Sequence, residues 1–394
     1  MTEPVVALKE LSIELSNQCL CRCIHCSSGS MPGKMPNELK HHEIVRIIKE
    51  ARKLGATVLS LSGGDPIVYT DICPSEHPPF LNATEYVKLA RELGYERVLF
   101  YTTGIWSIDM PQLDMPGAEP LGALWGMDSW PYLVDLIDAG RGILTVIFSL
   151  DSHRPEVHDF IRGISGAWYT TTGSIIALTS IGVNVEVHMV PMKPNYTHIS
   201  NVRDICAQMG VSKLSLLRFV PQTRGFDNLG LLDMNAEEFE DMQYIIDTEM
   251  ALSEGIYPHI VEVRPGCPID FRHATGATPQ KMSSCHAGLD LILVRPNGSV
   301  HPCAAWKTLP DDANIRDASL AEIWEHGRVF QVLREFHSQG WLHMESLSLC
   351  HKCKFLESCK GGCLAQKLHA YGKDLNAIYH WHSDPLCPIG AKYK

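Results

Sequence analysis

The sequence predicts an α/β protein built on a parallel sheet, and three observations predict it. Short apolar runs alternate six times with helical patterns between about residues 7 and 255. The runs are nearly continuous in apolar character, which implies strands covered by helices. Beyond about residue 260 the periodicity fades, and cysteine, glycine and proline take over. The strands read as Leu8–Leu15, Thr57–Leu61, Arg97–Tyr101, Ile143–Leu150, Val183–Val190 and Lys213–Phe219. Helices read near 39–54, 82–94, 130–139, 170–181, 197–209 and 236–253. An open doubly wound sheet and a partial barrel both fit this alternation. The expected division is a first domain over 1–255 and a small second domain over 256–394, held by metal more than by a large core.

Composition bounds the function. The 394 residues are 45% hydrophobic and 20% charged, an ordinary globular balance. A formal charge of −11 argues against a nucleic-acid backbone as partner. No apolar run reaches 18 residues, so no membrane-spanning helix is expected. The N-terminus MTEPVVALKE has no signal-peptide core, and the expected compartment is the cytoplasm. In that reducing setting, fourteen cysteines read as metal ligands before disulfides.

Cys19, Cys23 and Cys26 lie in the run CLCRCIHC, in the loop just after the first strand. The spacing supplies three thiolates. A four-iron cube takes four cysteines, so three leave one iron open, by the logic that separates catalytic from structural zinc sites. Cys21 falls inside the same run, and on this stretch alone a zinc knuckle stays open as the alternative. Directly after the second strand comes Ser62-Gly63-Gly64-Asp65-Pro66, whose glycines let the backbone turn sharply and approach a ligand. The fourth strand ends in Ser149 and Asp151, followed by the polar stretch His158, Asp159, Arg162 and Gly163. An arginine there can pair bidentately with a carboxylate. The plainer reading is a helix start capped by Asp151 or Ser152. Asn195 follows the fifth strand, and Arg218 and Arg224 the sixth. The segment 105–131, rich in Pro, Gly, Met and Trp, interrupts the rhythm and reads as a long loop, functional or merely decorative.

The C-terminal cysteines are the most specific pattern. Cys350, Cys353, Cys359 and Cys363 are followed by Cys387, and Cys285 is followed by a Pro-Asn-Gly turn and Cys303. Pairs of CxxC alone suit a zinc ribbon, but this longer order does not. His286, His301 and His351 flank these cysteines as hydrogen-bonding neighbours. Cys206 reads as a buried filler of a helix.

Together these motifs resemble the radical S-adenosylmethionine (SAM) superfamily with a C-terminal SPASM domain, the domain of peptide maturases. The resemblance selects a partial (β/α)6 TIM-type barrel with its chemistry at the C-terminal strand ends. It implies that Cys19, Cys23 and Cys26 hold a [4Fe-4S] cluster whose open iron chelates SAM. It implies that Gly63, Gly64, Asp65 and Pro66 hold the SAM amino group, with Asp replacing the usual Glu, and that Ser149, Arg162, Asn195 and Arg218 are further SAM contacts. It assigns Cys285, Cys303 and Cys363 to one auxiliary iron–sulfur cluster and Cys350, Cys353, Cys359 and Cys387 to another. Cys267 is the candidate fourth ligand of the first. Cys73 is the candidate hydrogen-atom donor, as in radical peptide epimerases.

The implied activity is that of an oxidoreductase: a 5′-deoxyadenosyl radical abstracts hydrogen from an unactivated C–H bond. The implied reductant is flavodoxin or ferredoxin. The favoured substrate is a ribosomal peptide, its leader bound by a separate leader-peptide-binding protein or by the 105–131 loop, since little chain precedes the first strand. A small molecule such as a sugar or aminocyclitol is the alternative, through dehydrogenation or epimerisation. Sulfatase maturases carry an Asp after the cysteine that matches Cys303; this chain has Ala304, which argues against that activity. An iron–sulfur electron carrier and a zinc-dependent binding module are the readings from other classes.

Overall fold

The structure, a computed structural model, describes residues 6–72, 80–105, 129–255, 261–266, 285–309, 313–338, 341, 350–353, 356–372, 374, 375, 378, 384, 385 and 387. Eleven strands lie among them: β1 Glu10–Glu14, β2 Val58–Ser62, β3 Thr70–Ile72, β4 Phe80–Asn82, β5 Arg97–Thr102, β6 Leu144–Ser149, β7 Asn184–Met189, β8 Lys213–Leu216, β9 Glu262–Pro265, β10 Leu291–Val294 and β11 Val300–His301. Nine form one sheet in the order β11-β10-β1-β2-β5-β6-β7-β8-β9, and β3 pairs with β4. Every pairing from β10 through β9 is parallel, and only β11 runs against its neighbour. The six strands read from the sequence therefore stand in chain order at the centre, with β9 added to one edge and β10 and β11 to the other. The C-terminal ends of all six lie along one rim, where the loops carrying the motifs emerge.

One strand face packs on helices. Leu11, Ile13, Leu59, Leu61, Val98 and Phe100 are buried with Ile44, Ile47, Ile48 and Ala51 of the helix His41–Lys53 and Tyr86, Val87 and Ala90 of the helix Thr84–Glu92. Full burial of each large aliphatic side chain contributes roughly 1.5–3 kcal/mol. A second core joins β6–β9 to helices Ala167–Ser180, Ile199–Gln208 and Ala236–Gly255. Cys206 is buried within it, as its filler reading requires.

The other strand face corrects the reading of nearly continuous apolar strands. Alternate positions place Glu10, Ser60, Arg97, Glu186 and Lys213 away from the helices. Ser60 Oγ donates to Glu10 at 2.6 Å, and Glu186 meets Lys213 at 2.6 Å and Arg97 at 3.5 Å. The His188 ring packs edge-on to Tyr101, centroids 5.4 Å apart. A sheet that does not close keeps a polar inner face, and two-residue alternation inside short strands is easily read as a plain apolar run.

The periodicity also does not fade beyond residue 260. Helices Leu320–His326 and Arg328–Ser338 bury Ile323, Trp324, Phe330, Leu333 and Phe336. Trp324 and Phe330 join the first core, and Trp324 Nε1 donates to the Val6 carbonyl at 2.7 Å. Gly327 splits this apolar pattern into two pieces, each too short to show its period. Leu333 and Phe336 belong to a third core with Trp306, Leu364, Leu368, Cys350 and Cys363, against which Cys285 and Cys303 pack.

Candidate metal and cofactor centre

The loop after β1 is fixed from several sides. Leu15 N donates to Ser62 O at 2.9 Å, Gly64 N to Ser16 O at 2.7 Å and Asp65 N to Gln18 O at 2.8 Å, so the cysteine loop and the Gly-Gly-Asp-Pro loop run zipped together. A Cβ on Gly64 would lie 2.0 Å from the Gln18 carbonyl oxygen, and one on Gly63 (φ +133°) 2.4 Å from that of Ser16. Both glycines are thus demanded by backbone packing before any ligand is considered. The Asp65 carboxylate is buried and accepts from Thr103 N at 2.8 Å, Thr103 Oγ1 at 2.6 Å, Thr102 Oγ1 at 3.2 Å and Ile67 N at 3.1 Å. Burial pushes this carboxyl up and the donors pull it back. The side chain ties the loop to the end of β5.

The far side of the cysteine loop docks on the helix Pro155–Arg162. Arg22 N donates to Arg162 O and Ile24 N to Ile161 O, each at 2.9 Å. That helix ends at Gly163 with φ 66°, where a Cβ would sit 2.5 Å from Arg22 O. Its N-cap is Arg154, which corrects the expectation of Asp151 or Ser152. Those two side chains are drawn elsewhere: Ser152 Oγ accepts from Arg154 N at 2.9 Å, and Asp151 faces the cysteine loop. Asp159 accepts from Gly166 N at 2.6 Å and Trp168 N at 2.9 Å, which caps the next helix. From the opposite flank, Thr223 Oγ1 donates to Cys26 O, Arg224 Nε to Cys23 O at 3.1 Å and Asn228 Nδ2 to Ile24 O at 3.1 Å. Arg224 was legible as a motif residue; the parts of Thr223 and Asn228 were not.

The electrostatics favour a thiolate at Cys23. Arg162 Nη1 lies 3.7 Å from Cys23 Sγ, and Nη2 lies 2.6 Å from Asp151, with both side chains buried. Cys23 is pulled well below the ordinary thiol value by the Cys21 thiol first and, against burial, by Arg162 and His25. Cys21 is pushed well above it by its bonds to Cys19 and Cys23 and by burial. Burial works against the Arg162 charge, and Asp151 and Cys23 outweigh it.

Ser149 is half-buried at the end of β6, opposite His188 in register. Asn195 is fully buried: its amide donates to Asp151 O at 2.9 Å and Val190 O at 3.0 Å, and its oxygen accepts from Met192 N at 2.7 Å. These bonds shape the loop after β7. Arg218 pairs with Asp384 at 2.6 Å, close to the C-terminal cysteines. Cys73, Cys267 and the segment 106–128 lie outside the described residues.

In the C-terminal cysteine region Asp384 organises the backbone. Its carboxylate accepts from Cys363 N at 2.8 Å and its carbonyl from Cys387 N at 2.8 Å. Burial pushes the Cys350 thiol up to about 11, with smaller raising effects from Cys387 and Cys353. His286 bonds Asp290 at 2.7 Å, and burial, then Arg295, holds His301 down to about 4. A network that the sequence did not reveal joins the two cysteine regions. Glu14 meets Lys307 at 2.5 Å and Arg295 at 3.2 Å, while Lys307 Nζ donates to Ser28 Oγ at 2.7 Å.

Whether these residues suit iron–sulfur clusters can be read from buried atoms. His25 Nδ1, His158 Nε2, Arg162 Nε and Arg224 Nη2 are buried with no hydrogen-bond partner among the described residues. All four belong to residues in or against the cysteine loop. His158 Nδ1 accepts from Asp151 N at 3.2 Å, so its Nε2 carries the hydrogen. Buried donors are ordinarily satisfied. An anionic cluster and a carboxylate-bearing cofactor would supply acceptors that the described residues do not. The indole N–H of Trp306, three residues beyond Cys303, is a like case. No three His, Cys, Asp or Glu side chains among the described residues converge as they would on a lone metal ion. A cube spreads its cysteines over separate irons, so the chemistry of Cys19, Cys23 and Cys26 suits a cube with one iron left open.

A mostly parallel α/β sheet carries a four-cysteine loop at its strand-end rim, and a second cysteine set follows near the C-terminus. Residues 13–202 match the profile of the radical SAM superfamily, and residues 285–354 match the SPASM iron–sulfur cluster-binding domain. The chain thus carries a radical SAM domain and a SPASM domain. It is similar to the AdoMet-dependent heme synthase of Oleidesulfovibrio alaskensis, at 23% identity over 98% of this chain and 89% of that protein. It is similar to the mycofactocin maturase MftC of Mycolicibacterium smegmatis, at 25% identity over 95% and 84%. Its fold is that of Streptococcus suis SuiB, solved with S-adenosylmethionine, with a TM-score of 0.69 at 16% identity over 97% of this chain and 77% of that one. No helix among the described residues is long and apolar enough to cross a membrane.

Proposed function

We propose that this protein is a radical SAM oxidoreductase that removes a hydrogen atom from an unactivated C–H bond, most directly in a ribosomally made peptide. The observation that carries the reading is the set of buried nitrogens, without hydrogen-bond partners among the described residues, in and against the loop that holds Cys19, Cys23 and Cys26. When bound, a reduced [4Fe-4S] cluster and SAM supply a 5′-deoxyadenosyl radical. Cys19, Cys23 and Cys26 would hold the cluster, with Arg162 keeping Cys23 ionised and Asp151 holding Arg162 in place. The backbone of Gly63 and Gly64, beside the cluster loop, would take the SAM amine, while Asp65 and Pro66 shape that turn. Ser149, at the strand-end rim, would meet the rest of the cofactor. Cys285, Cys303 and Cys363 would hold one auxiliary cluster and Cys350, Cys353, Cys359 and Cys387 another, with Cys267 completing the first. Cys73 is the proposed hydrogen-atom donor should the product be an epimer. The polar inner face of the sheet, with Tyr101 and His188, gives a peptide or small molecule groups to bind.

The likeness to a mycofactocin maturase supports the peptide. The likeness to a heme synthase over nearly the whole chain supports a second reading, a small-molecule substrate. The proposed reductant is flavodoxin or ferredoxin, in the cytoplasm, with a separate protein binding any peptide leader. Anaerobic reconstitution with iron and sulfide, then dithionite and SAM, tests the reading. It requires 5′-deoxyadenosine well above a Cys23→Ala control; equal amounts would favour an electron carrier. Mass spectrometry of extracts from cells with and without the gene separates peptide from small molecule.

A further inference from the structure

The strand register sets two rows of side chains on the inner face of the sheet. In the lower row Tyr101, Ile147, Glu186 and Lys213 stand side by side on β5 to β8. Its charges face one another: Glu186 meets Lys213 at 2.6 Å, and Arg97 from below at 3.5 Å. One pleat nearer the strand-end rim, Ser149 of β6, His188 of β7 and Ser215 of β8 form the upper row. Arg264 continues that row on β9 and pairs with Glu262 of its own strand. From β6 to β8 the upper row is polar and uncharged, since burial, then Lys213, holds the His188 imidazole down to about 3. The ring is held edge-on against Tyr101, centroids 5.4 Å apart at 71°. Its nitrogens and the two serine hydroxyls have no hydrogen-bond partner among the described residues, and none of these atoms is closed off from solvent.

A neutral imidazole offers one donor and one acceptor. A hydroxyl or an amide answers both, whereas a carboxylate answers only the donor. Ser149 is the proposed cofactor contact, and His188 lies one strand from it, about 4.8 Å away in the sheet. We propose that His188, with Ser215 beside it, seats the substrate by a neutral hydroxyl or amide next to the carbon that loses hydrogen. The inference rests on the radical SAM reading above and narrows its substrate. A peptide and a sugar-like molecule both carry such a group; a substrate anchored at this row by a free carboxylate does not fit.

The test uses the anaerobically reconstituted full chain with dithionite, SAM and an extract of cells lacking the gene. It reads 5′-deoxyadenosine formed per molecule of mass-changed product. His188→Phe keeps a ring against Tyr101 and removes both nitrogens, and His188→Gln keeps a donor and an acceptor. The Phe variant is expected to raise the ratio about ten-fold, as loss of one buried hydrogen bond would, with the Gln variant between it and wild type. A ratio that stays at the wild-type value in the Phe variant, whether or not both rates fall, overturns the proposal, and so does an equal rise in Phe and Gln. Ser215→Ala is a smaller change and is expected to raise the ratio too. Should the Phe variant fail to fold, a wild-type ratio in Ser215→Ala overturns the proposal. Protease treatment of the extract beforehand tells which source carries the group: a peptide product is lost and a small-molecule product is kept. A wild-type protein that forms no 5′-deoxyadenosine, or changes no compound of the extract, removes the underlying reading instead.

Discussion

Arg162 holds the Cys23 sulfur at 3.7 Å with one guanidinium nitrogen and the Asp151 carboxylate at 2.6 Å with the other. A strand-end acid is thereby linked to a cluster-loop thiol through one buried cation. Asp151 also accepts from Val190 N at 3.1 Å, so three strand-end loops share the arrangement.

Arg162→Met is expected to destabilise the fold by about 3–5 kcal/mol, because it leaves Asp151 buried and uncompensated. It should also lower iron uptake by the N-terminal loop. Urea unfolding and iron analysis check both, and Arg162→Lys should retain part of each because it keeps the charge but not the fork.

Two glycine substitutions should act in opposite directions. Gly64→Ala drives a Cβ to 2.0 Å from a backbone oxygen and is expected to cost at least about 2 kcal/mol. Gly173→Ala, inside the helix Ala167–Ser180 with open space around it, should stabilise by about 0.5–1 kcal/mol. Thermal unfolding of the two variants reads the contrast.

Glu14 gives a pH dependence with a definite sign. Burial works to raise its carboxyl, and Lys307 and Arg295 outweigh burial and hold it at about 2, below the ordinary 4.5. A lowered folded-state value contributes stability that is fully present above 4.5 and lost as pH falls toward 2. The contribution is on the order of 3 kcal/mol. Stability measured from pH 6 down should fall across that window, and Glu14→Gln should flatten the fall while lowering stability at neutral pH.

Asp384→Asn should loosen the C-terminal cysteine set. It removes the Arg218 partner and weakens the acceptor of Cys363 N. Iron content is expected to drop toward that of a protein with only its N-terminal cluster, while the visible spectrum keeps that cluster's absorption.

How much of this was legible follows from what each residue bonds. The six central strands were visible because apolar runs report burial against helices. The polar inner face was not, although Glu10-Leu-Ser-Ile-Glu14 alternates within one short strand. Asn195 and Arg218 were placed correctly at strand ends, but their protein partners were not legible. Asn195 turns inward on its own loop, and Arg218 meets a residue 166 positions away. Lys307 and Glu14 escaped notice for the same reason, since nothing local in either stretch announces the other. The glycines of Gly-Gly-Asp-Pro were recognised, and their packing against residues 16–18 supplies a reason that the motif alone does not contain.

The most direct measurement is the electron paramagnetic resonance spectrum of the reduced, reconstituted protein before and after SAM is added. A three-thiolate cluster with an open iron predicts a changed signal from one cluster, absent in Cys23→Ala. A fully loaded protein whose spectrum does not respond to SAM would contradict the account.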